Sequence, residues 1–412
     1  MKPTPWTRSL LLVAALGLPT LSSGVADACG GCFAPSETNQ VVTDHLMVMA
    51  LHASESVLWD QIRYSGRPED FSWVLPVQGD ATVELASGTF FDTLTQLTAP
   101  TVTAPALVCP GAGRGGLFAS DSATANRFES GGGVQILSTA IVGPYQTVTL
   151  RSSDADALST WLRANNYAIP ASIEPVIRHY TDLRMDFIAL RLRPGEGIQA
   201  MQPVRVRFST PSPVLPLRMV AAGIADKVGV SLFVFSEGRS EAMNFPNALV
   251  DRARVSWDYN TNSSNYAAMF RAAIAPSGGR AWVTEAALSA GAIGNNFTRD
   301  ADTFADWGVA VRGLSRPWIT RLRADLPASA LDRDLQLQAS ASAVELQPSF
   351  QAGVLVNRPP CATDDGFYSG TDATSSSRGL ECSASPGARA PRGLAGLLAL
   401  GLAAGVVRRR RR

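Results

Sequence analysis

Short apolar runs separated by turn residues fill the first part of the chain and predict β-strands. Residues 46–51 (LMVMAL) and 57–59 (VLW) form the first two runs, and residues 71–77 (FSWVLPV) form a third. The segment 65–70 (SGRPED) between the last two runs is rich in Gly, Pro and Asp, which is typical of a hairpin turn. The pattern therefore predicts that the second and third runs pair as a β-hairpin, with Trp73 in the core.

Two later segments have the period of amphipathic helices. In the first, Thr89 is the predicted N-cap and Pro100 ends the helix; in the second, Ser153 is the predicted N-cap and Asn165 follows the last turn. The apolar residues that share one face are Phe90, Phe91, Leu94 and Leu97 in the first helix and Leu158, Trp161 and Leu162 in the second. Both helices are predicted to pack on a sheet.

Strict alternation returns further along the chain. Residues 204–209 and 228–234 alternate apolar and polar or small positions, the pattern of half-buried antiparallel strands. Within 183–193 the alternation changes phase near Phe187, which predicts a β-bulge. Together these patterns predict a mainly β chain of the α+β class, with a few packed helices on antiparallel, sandwich-like sheets.

The folded part is predicted to comprise two subdomains. The first is a β-rich extracytoplasmic domain at 29–245, and residues 246–350 form a second β/α subdomain or a continuation of the first. From 351 to 392 the composition turns to Ser, Thr, Gly, Asp and Pro, which cannot bury enough apolar surface to fold alone. This segment is predicted to be a polar stalk.

The first residues have the three parts of a secretory signal. Lys2 and Arg8 give a basic start, the apolar run 10–21 follows, and an A-x-A site ends at Ala28. The sequence therefore predicts a signal peptide at 1–28, cleaved before Cys29. A cysteine at that position also allows lipoprotein processing, but Ala26 is a poor substitute for the Leu that usually stands three residues ahead.

The last twenty residues, 393–412, resemble a stop signal for export. Residues 393–407 are small or apolar, and five arginines follow at 408–412. Fifteen residues of helix cover about 22 Å, short of the ~30 Å hydrocarbon core, and the arginines hold the segment on the cytoplasmic side. We therefore expect a membrane contact through this tail.

The charge distribution excludes one class of partner. Subtracting the +1 of residues 1–28 and the +7 of residues 383–412 from the net +1 of the chain leaves −7 for the body. A protein that binds nucleic acid needs a basic surface to displace counterions from phosphate. No nucleic-acid partner is predicted.

Several stretches resemble the bacterial family called domain of unknown function 2330. The resemblance rests on the ACGG stretch at 28–31, FSWVLPV at 71–77, the helix before Pro100, the exit of the second helix up to Pro170, and PVLPLR at 213–218. It covers residues 28–245 well and the rest of the body loosely. It implies an exported bacterial protein, and it brings no activity with it.

The end of the chain is similar to the myxobacterial C-terminal sorting signal, MYXO-CTERM. The matching parts, in order, are Cys382, a short spacer with Pro386, the apolar segment and the arginine run. This resemblance implies that export and sorting machinery removes the tail and that Cys382 becomes the anchoring point on the outer cell surface.

With Cys382 set aside, four cysteines remain in an exported chain, where thiols oxidise. They are Cys29, Cys32, Cys109 and Cys361, which allow three pairings. Cys29 and Cys32 form a C-x-x-C motif, but a thioredoxin-type motif follows a strand and opens a helix, whereas this one starts the mature chain. Structural disulfides are favoured. Zinc binding is not, because Cys109 and Cys361 supply no second pair at suitable spacing.

Other motifs carry weaker signals. The G-x-G-x-x-G match at 111–116 follows no clean strand and lacks the acidic residue expected of a dinucleotide site. The histidines His45, His52 and His179 form no H-x-x-x-H pair, and no G-x-S-x-G elbow supports a triad. The stalk's acidic residues lack the calcium-loop pattern. We therefore predict no catalytic residue, metal or cofactor.

The leading hypothesis is a non-catalytic, surface-displayed module for binding or envelope structure, whose ligand or protein partner the sequence does not name. The alternative is an envelope redox or disulfide-handling protein that uses Cys29 and Cys32. Thiol labelling separates the two, because a structural bridge stays oxidised whereas a redox pair cycles with mild reductant.

Overall fold

The computed structural model describes residues 32–33, 44–61, 67–105, 135–167, 169–221 and 226–358. The strands within these ranges are β1 (Cys32–Phe33), β2 (Asp44–Leu51), β3 (Ser56–Gln61), β4 (Ser72–Val77), β5 (Ala81–Leu85), β6 (Thr101–Thr103), β7 (Gln135–Val142), β8 (Tyr145–Arg151), β9 (Asp186–Leu192), β10 (Val204–Phe208), β11 (Val214–Leu215), β12 (Lys227–Glu237), β13 (Ser240–Ala242), β14 (Asn247–Ala248), β15 (Ser256–Asp258), β16 (Ser263–Ser264), β17 (Trp282–Ser289), β18 (Pro317–Pro327), β19 (Leu335–Ala339), β20 (Ser349–Gln351) and β21 (Val354–Val356). The α-helices are α1 (Gly88–Thr98), α2 (Ala155–Ala164), α3 (Glu174–Asp182), α4 (Leu217–Val220), α5 (Tyr266–Ile274) and α6 (Ala301–Ala310).

Two large sheets organise these elements. Eight strands form the larger sheet in the order β14-β17-β18-β12-β2-β3-β10-β5, in which only the β12–β2 and β14–β17 pairs are parallel. Five antiparallel strands form the other in the order β1-β4-β9-β8-β7. The predicted mainly β, α+β class is confirmed.

The two large sheets pack face to face, and helices cover their outer faces. One apolar cluster joins the inner faces, with Met47, Leu58 and Leu232 from the larger sheet and Trp73 and Ile188 from the smaller. Helices α1 and α6 pack on the outer face of the larger sheet, and α2 and α3 pack on the outer face of the smaller. The result is a four-layer α/β/β/α arrangement, with each side of each sheet buried against another layer.

The predicted strands are present, but the predicted hairpin over 57–77 is wrong. Strand β3 pairs with β2 and β10, whereas β4 pairs with β1 and β9 in the other sheet. Strands β3 and β4 therefore belong to different sheets and do not form a hairpin. Trp73 is a core residue as predicted, since only 1% of it is exposed.

The predicted bulge near Phe187 is also wrong. Strand β9 keeps an unbroken register with both β4 and β8. Ile188 and Leu190 face the inter-sheet cluster, whereas Phe187 and Ala189 face the helices. The apparent change of phase arises because both faces of the strand are apolar, as expected for a strand between two covered faces.

Both predicted helices form, each with a different N-cap from the predicted one. The side chain of Ser87, not Thr89, accepts the backbone N–H of Phe90 at 3.4 Å and caps α1. The side chain of Asp154, not Ser153, accepts the N–H groups of Asp156 and Ala157 at 2.8 and 3.1 Å and caps α2. In each case a neighbouring residue of the same capping class holds the position.

The larger sheet takes strands from both sides of position 245, since β17 and β18 follow that position and β12 and β2 precede it. The division into subdomains at 245 stays a prediction. Near the other predicted boundary, β21 at Val354–Val356 pairs with β15, so residues just past 350 belong to the fold. Gly353 permits this contact, because a Cβ there would lie 2.3 Å from the carbonyl oxygen of Ala253.

Candidate ligand cleft

A cleft of about 370 Å³ opens beside β4, α3 and the small sheet β11-β19-β13. We call it the Tyr180–Asp334 cleft. Its residues come from distant parts of the chain that the two large sheets bring together. The lining residues are Pro76, Val77, Gln78, His179, Tyr180, Leu183, Met185, Phe208, Ser212, Val214, Pro216, Arg218, Asn244, Arg333, Asp334 and Gln336. Its volume falls within the range of small-molecule sites, about 300–1,000 Å³.

Part of the cleft lining is apolar. Val77, Phe208 and Val214 line it from the sheets, and Leu183 and Met185 line it from the segment after α3. Leu183 is 57% exposed, so its side chain is accessible to a molecule that enters the cleft.

The lining also carries fixed polar groups around Asp334. The Tyr180 hydroxyl donates to Asp334 Oδ1 at 2.6 Å, and the backbone N–H of Arg218 donates to the same oxygen at 3.1 Å. The Asn244 side chain donates to the carbonyl oxygen of Asp334 at 2.7 Å and accepts the N–H of Gln336 at 2.9 Å. Asp334 is therefore held in place before any ligand arrives.

Tyr180 acts as a hydrogen-bond donor in this arrangement. Burial raises the pKa of the Tyr180 phenol well above its usual value, and the negative charge of Asp334 raises it further. The phenol is therefore protonated throughout the physiological pH range. It can fix the orientation of Asp334, but it is not available as a base or nucleophile.

The two arginines of the cleft differ in their pairing. Arg333 forms two hydrogen bonds with Asp332, both at 2.9 Å. The Arg218 guanidinium is half-buried, and it forms no hydrogen bond or ion pair with any residue in the part of the chain that the structure describes. Arg218 thus supplies a planar set of donors that no neighbouring carboxylate satisfies.

A second group of polar residues lies deeper, between the large sheets. His45 is 1% exposed, and neither of its ring nitrogens has a partner among the described residues. Asp60 is equally buried and accepts a hydrogen bond from the Trp73 side chain, while its Oδ1 has no described partner. Neither residue lines the Tyr180–Asp334 cleft.

A scan against protein-family models matches residues 23–304, more than half of the chain, to a model described as an uncharacterised protein conserved in bacteria, DUF2330. The chain belongs to this family. No curated protein and no solved structure matches it. The family model covers the cleft residues from Pro76 to Asn244 and ends before Asp334, so the cleft of this DUF2330 member combines residues inside and beyond the matched region.

Most of the predicted site residues of this DUF2330 chain lie outside the described residues. Cys29, Cys109, Cys361 and Cys382 are among them, as are the glycine-rich motif at 111–116 and the two end segments 1–28 and 393–412. Cys32 belongs to β1, whose backbone pairs with β4 opposite Trp73. The disulfide and anchoring assignments therefore stay predictions.

The three histidines lie in three different surroundings. His45 lies between the sheets, His52 Nε2 donates to the carbonyl oxygen of Ala310 at 3.3 Å, and His179 lines the cleft. Within the described ranges, no group of three or more His, Cys, Asp or Glu side chains could hold a metal ion.

None of the helices in the described ranges is long and apolar enough to cross a membrane.

Proposed function

We propose that this protein is an exported bacterial envelope protein, anchored at the cell surface, whose folded body binds a small molecule in the Tyr180–Asp334 cleft. The observation that carries the proposal is an Arg218 guanidinium without a described partner in a cleft lined in part by apolar side chains. Sites for small molecules combine an apolar lining with a few fixed polar groups in this way.

The scaffold around the cleft supports binding as its role. Val77 and Phe208 belong to strands of the two large sheets, and Tyr180 belongs to a helix packed on the smaller sheet. Sites built on regular elements hold their geometry better than sites on loops. The protonated Tyr180 phenol and the hydrogen bonds to Asp334 fix donors and acceptors without providing an activated nucleophile.

The envelope location rests on the two ends of the sequence. The signal at 1–28 directs export, and the tail at 393–412 with Cys382 directs anchoring. The redox alternative has less support, because a thioredoxin-type motif follows a strand and opens a helix, whereas the C-x-x-C motif of Cys29 and Cys32 opens the predicted mature chain.

A fluorescent probe tests the binding proposal. Anilinonaphthalene sulfonate joins an apolar aromatic body to an anionic group, and its emission rises when it leaves water. We expect the mature, processed protein to bind this probe. Leu183→Ser should weaken binding by about threefold to tenfold through the loss of apolar contact.

The matched control is Leu249→Ser. Leu249 is 55% exposed and does not line the cleft, so its removal should leave the probe affinity unchanged. If Leu183→Ser and Leu249→Ser both bind the probe as the natural chain does, the cleft is not the binding site and the proposal fails.

A further inference from the structure

Arg218 and Asp334 carry opposite charges and line the same Tyr180–Asp334 cleft, and their side chains form no ion pair with each other. The Arg218 backbone N–H donates to Asp334 Oδ1, so the two residues are neighbours. Even so, the Arg218 guanidinium forms no ion pair with Asp334 or with any other described residue. Charge-assisted hydrogen bonds to a guanidinium or a carboxylate are stronger than those between neutral groups, so both side chains offer strong contacts to a ligand in the cleft.

Asp334 has a free acceptor on its carboxylate. Its Oδ1 accepts from the Tyr180 hydroxyl and from the Arg218 N–H, whereas Oδ2 has no hydrogen-bond partner among the residues that the structure describes. The Tyr180 hydroxyl donates its one hydrogen to Oδ1 at 2.6 Å, so it does not also donate to Oδ2. The cleft therefore presents one unpaired acceptor with a negative charge and one unpaired donor with a positive charge.

These two charges limit the ligands that fit. A simple anion would pair with Arg218 but approach Asp334, and a simple cation would pair with Asp334 but approach Arg218. Like-charge proximity is costly at an interface. A ligand that carries both signs satisfies both groups at once. Asp332 pairs with Arg333 and Arg280 and also interacts electrostatically with Arg218, but it forms no hydrogen bond or ion pair with the Arg218 guanidinium.

We infer that the ligand is a zwitterion with an apolar body, of the class of the apolar α-amino acids. Its carboxylate would pair with Arg218 and its ammonium group with Asp334 Oδ2. Its side chain would then lie against the apolar wall formed by Val77, Leu183 and Phe208. The inference rests on the proposed binding function and specifies the ligand of the same cleft.

Calorimetric titration with three related probes tests the charge pattern directly. L-leucine carries both charges, 4-methylpentanoate lacks the ammonium group, and 3-methylbutylamine lacks the carboxylate. We expect the full-length processed protein to bind leucine about tenfold to a hundredfold more tightly than either single-charge probe, since each charge-assisted hydrogen bond contributes to affinity.

Two substitutions assign each charge to its residue. Arg218→Gln should lower the affinity for leucine about tenfold or more and leave that for 3-methylbutylamine unchanged or higher. Asp334→Asn should lower the affinity for leucine similarly and spare 4-methylpentanoate. The matched controls are Arg254→Gln and Asp92→Asn, which alter exposed residues outside the cleft and should not change any of the three affinities.

Tyr180→Phe separates the charge of Asp334 from its position. This variant removes the hydrogen bond that Oδ1 accepts from the phenol but keeps the carboxylate charge, so it should reduce leucine binding less than Asp334→Asn does. Thermal melting of each variant identifies any that has lost its fold.

The outcomes distinguish this inference from the proposed function. If 4-methylpentanoate binds as tightly as leucine, the cleft is a site for simple anions and the zwitterion inference is wrong. If none of the three probes binds while the fluorescent probe still depends on Leu183, the inference is also wrong and the binding function stands. If Leu183→Ser has no effect on the fluorescent probe and none of the three binds, both fail.

Discussion

The two faces of the eight-stranded sheet bury polar side chains in opposite ways. On the outer face, the Trp59 indole donates to Asp306 Oδ1 at 2.7 Å and the Ser87 N–H donates to Asp306 Oδ2 at 2.7 Å. Arg205 donates to Asp306 Oδ1 at 2.5 Å and also pairs with Glu84. This network joins helix α6 to the sheet, and every partner in it is satisfied.

On the inner face, His45 and Asp60 are as deeply buried but poorly partnered. Neither ring nitrogen of His45 has a partner among the described residues, and Asp60 has the Trp73 indole on one oxygen alone. Burial away from water disfavours the charged form of each group and therefore shifts its pKa strongly. It lowers the pKa of His45 to about 3 and raises the pKa of Asp60 to about 8.

The contrast shows that partners, not burial, decide whether an interior polar group stabilises a fold. A satisfied charge network holds one layer to the next, while an unsatisfied polar group costs its full desolvation energy. Removing a polar group from the outer face should therefore destabilise the protein. Removing one from the inner face should stabilise it, unless that group also fills space.

The largest effect is expected at Trp73, where polar and apolar roles coincide. Trp73→Ala removes a side chain that is 1% exposed between the two sheets, and it takes away the indole that donates to Asp60. We expect a loss of about 3–5 kcal/mol in the free energy of unfolding, measured by urea denaturation. Trp161→Ala is the matched control.

Trp161 is half-buried and stacks on Tyr167 with ring centroids 6.2 Å apart, so its loss should cost clearly less. If the two variants unfold at the same urea concentration, the inner packing around Trp73 contributes no more than a surface stack does.

Asp306→Ala tests the outer network. It leaves the Trp59 indole, the Ser87 N–H and one side of Arg205 without their acceptor. We expect a loss of about 3 kcal/mol in the free energy of unfolding. This is the lower end of the range for breaking a buried ion pair, because Arg205 still pairs with Glu84.

Asp306→Asn keeps the shape and one acceptor, so it should cost less than Asp306→Ala. An Asp306→Ala protein with natural stability in urea would show that the network is not what fastens α6 to the sheet.

His45→Leu should act in the opposite direction. The substitution replaces two unpartnered ring nitrogens with an apolar side chain of similar size, in a layer where Met47 and Val230 already face the same cluster. We expect a gain of about 1–2 kcal/mol in the free energy of unfolding at neutral pH. A loss of stability would mean that His45 has a partner outside the described residues.

The sequence predicted local features of this fold better than it predicted their assembly. Alternation identified β10 through Val204 and Phe208, and the apolar faces of α1 and α2 were correctly assigned. The pairing of β3 and β4 was wrong because a turn that reverses a hairpin and a turn that crosses between sheets have the same composition. Local sequence does not record which sheet a strand joins.

The Tyr180–Asp334 cleft was not predictable for the same reason. Tyr180, Arg218 and Asp334 are separated by tens of residues and form no local motif. One sequence signal pointed there without a function attached, namely the PVLPLR stretch that contains Arg218 and resembles the family. The cysteines drew attention because reactive residue types are visible in any sequence, whereas a cleft exists only after the sheets have packed.

The pH dependence of the free energy of unfolding tests the inner face of the sheet. Asp60 has its pKa raised from 3.8 to about 8, so the unfolded chain releases this proton first and stability falls as pH rises between those values. His45 has its pKa lowered from 6.5 to about 3, so the unfolded chain binds this proton first and stability rises with pH across that window.

Because the two slopes oppose each other, their sum should be nearly flat between pH 4 and pH 6.5 in the natural chain. Replacing one of the two groups leaves the pH dependence that the other contributes uncompensated. Relative to the natural chain, Asp60→Asn should gain stability with rising pH between about 4 and 8, and His45→Leu should lose it between about 3 and 6.5, each at up to about 1.4 kcal/mol per pH unit. Urea denaturation of the three proteins at matched pH measures these differences, in which the contributions of other titrating groups cancel. Difference curves without slope in either window would mean that His45 and Asp60 keep ordinary pKa values, and the contrast between the two faces of the sheet would then lose its electrostatic basis.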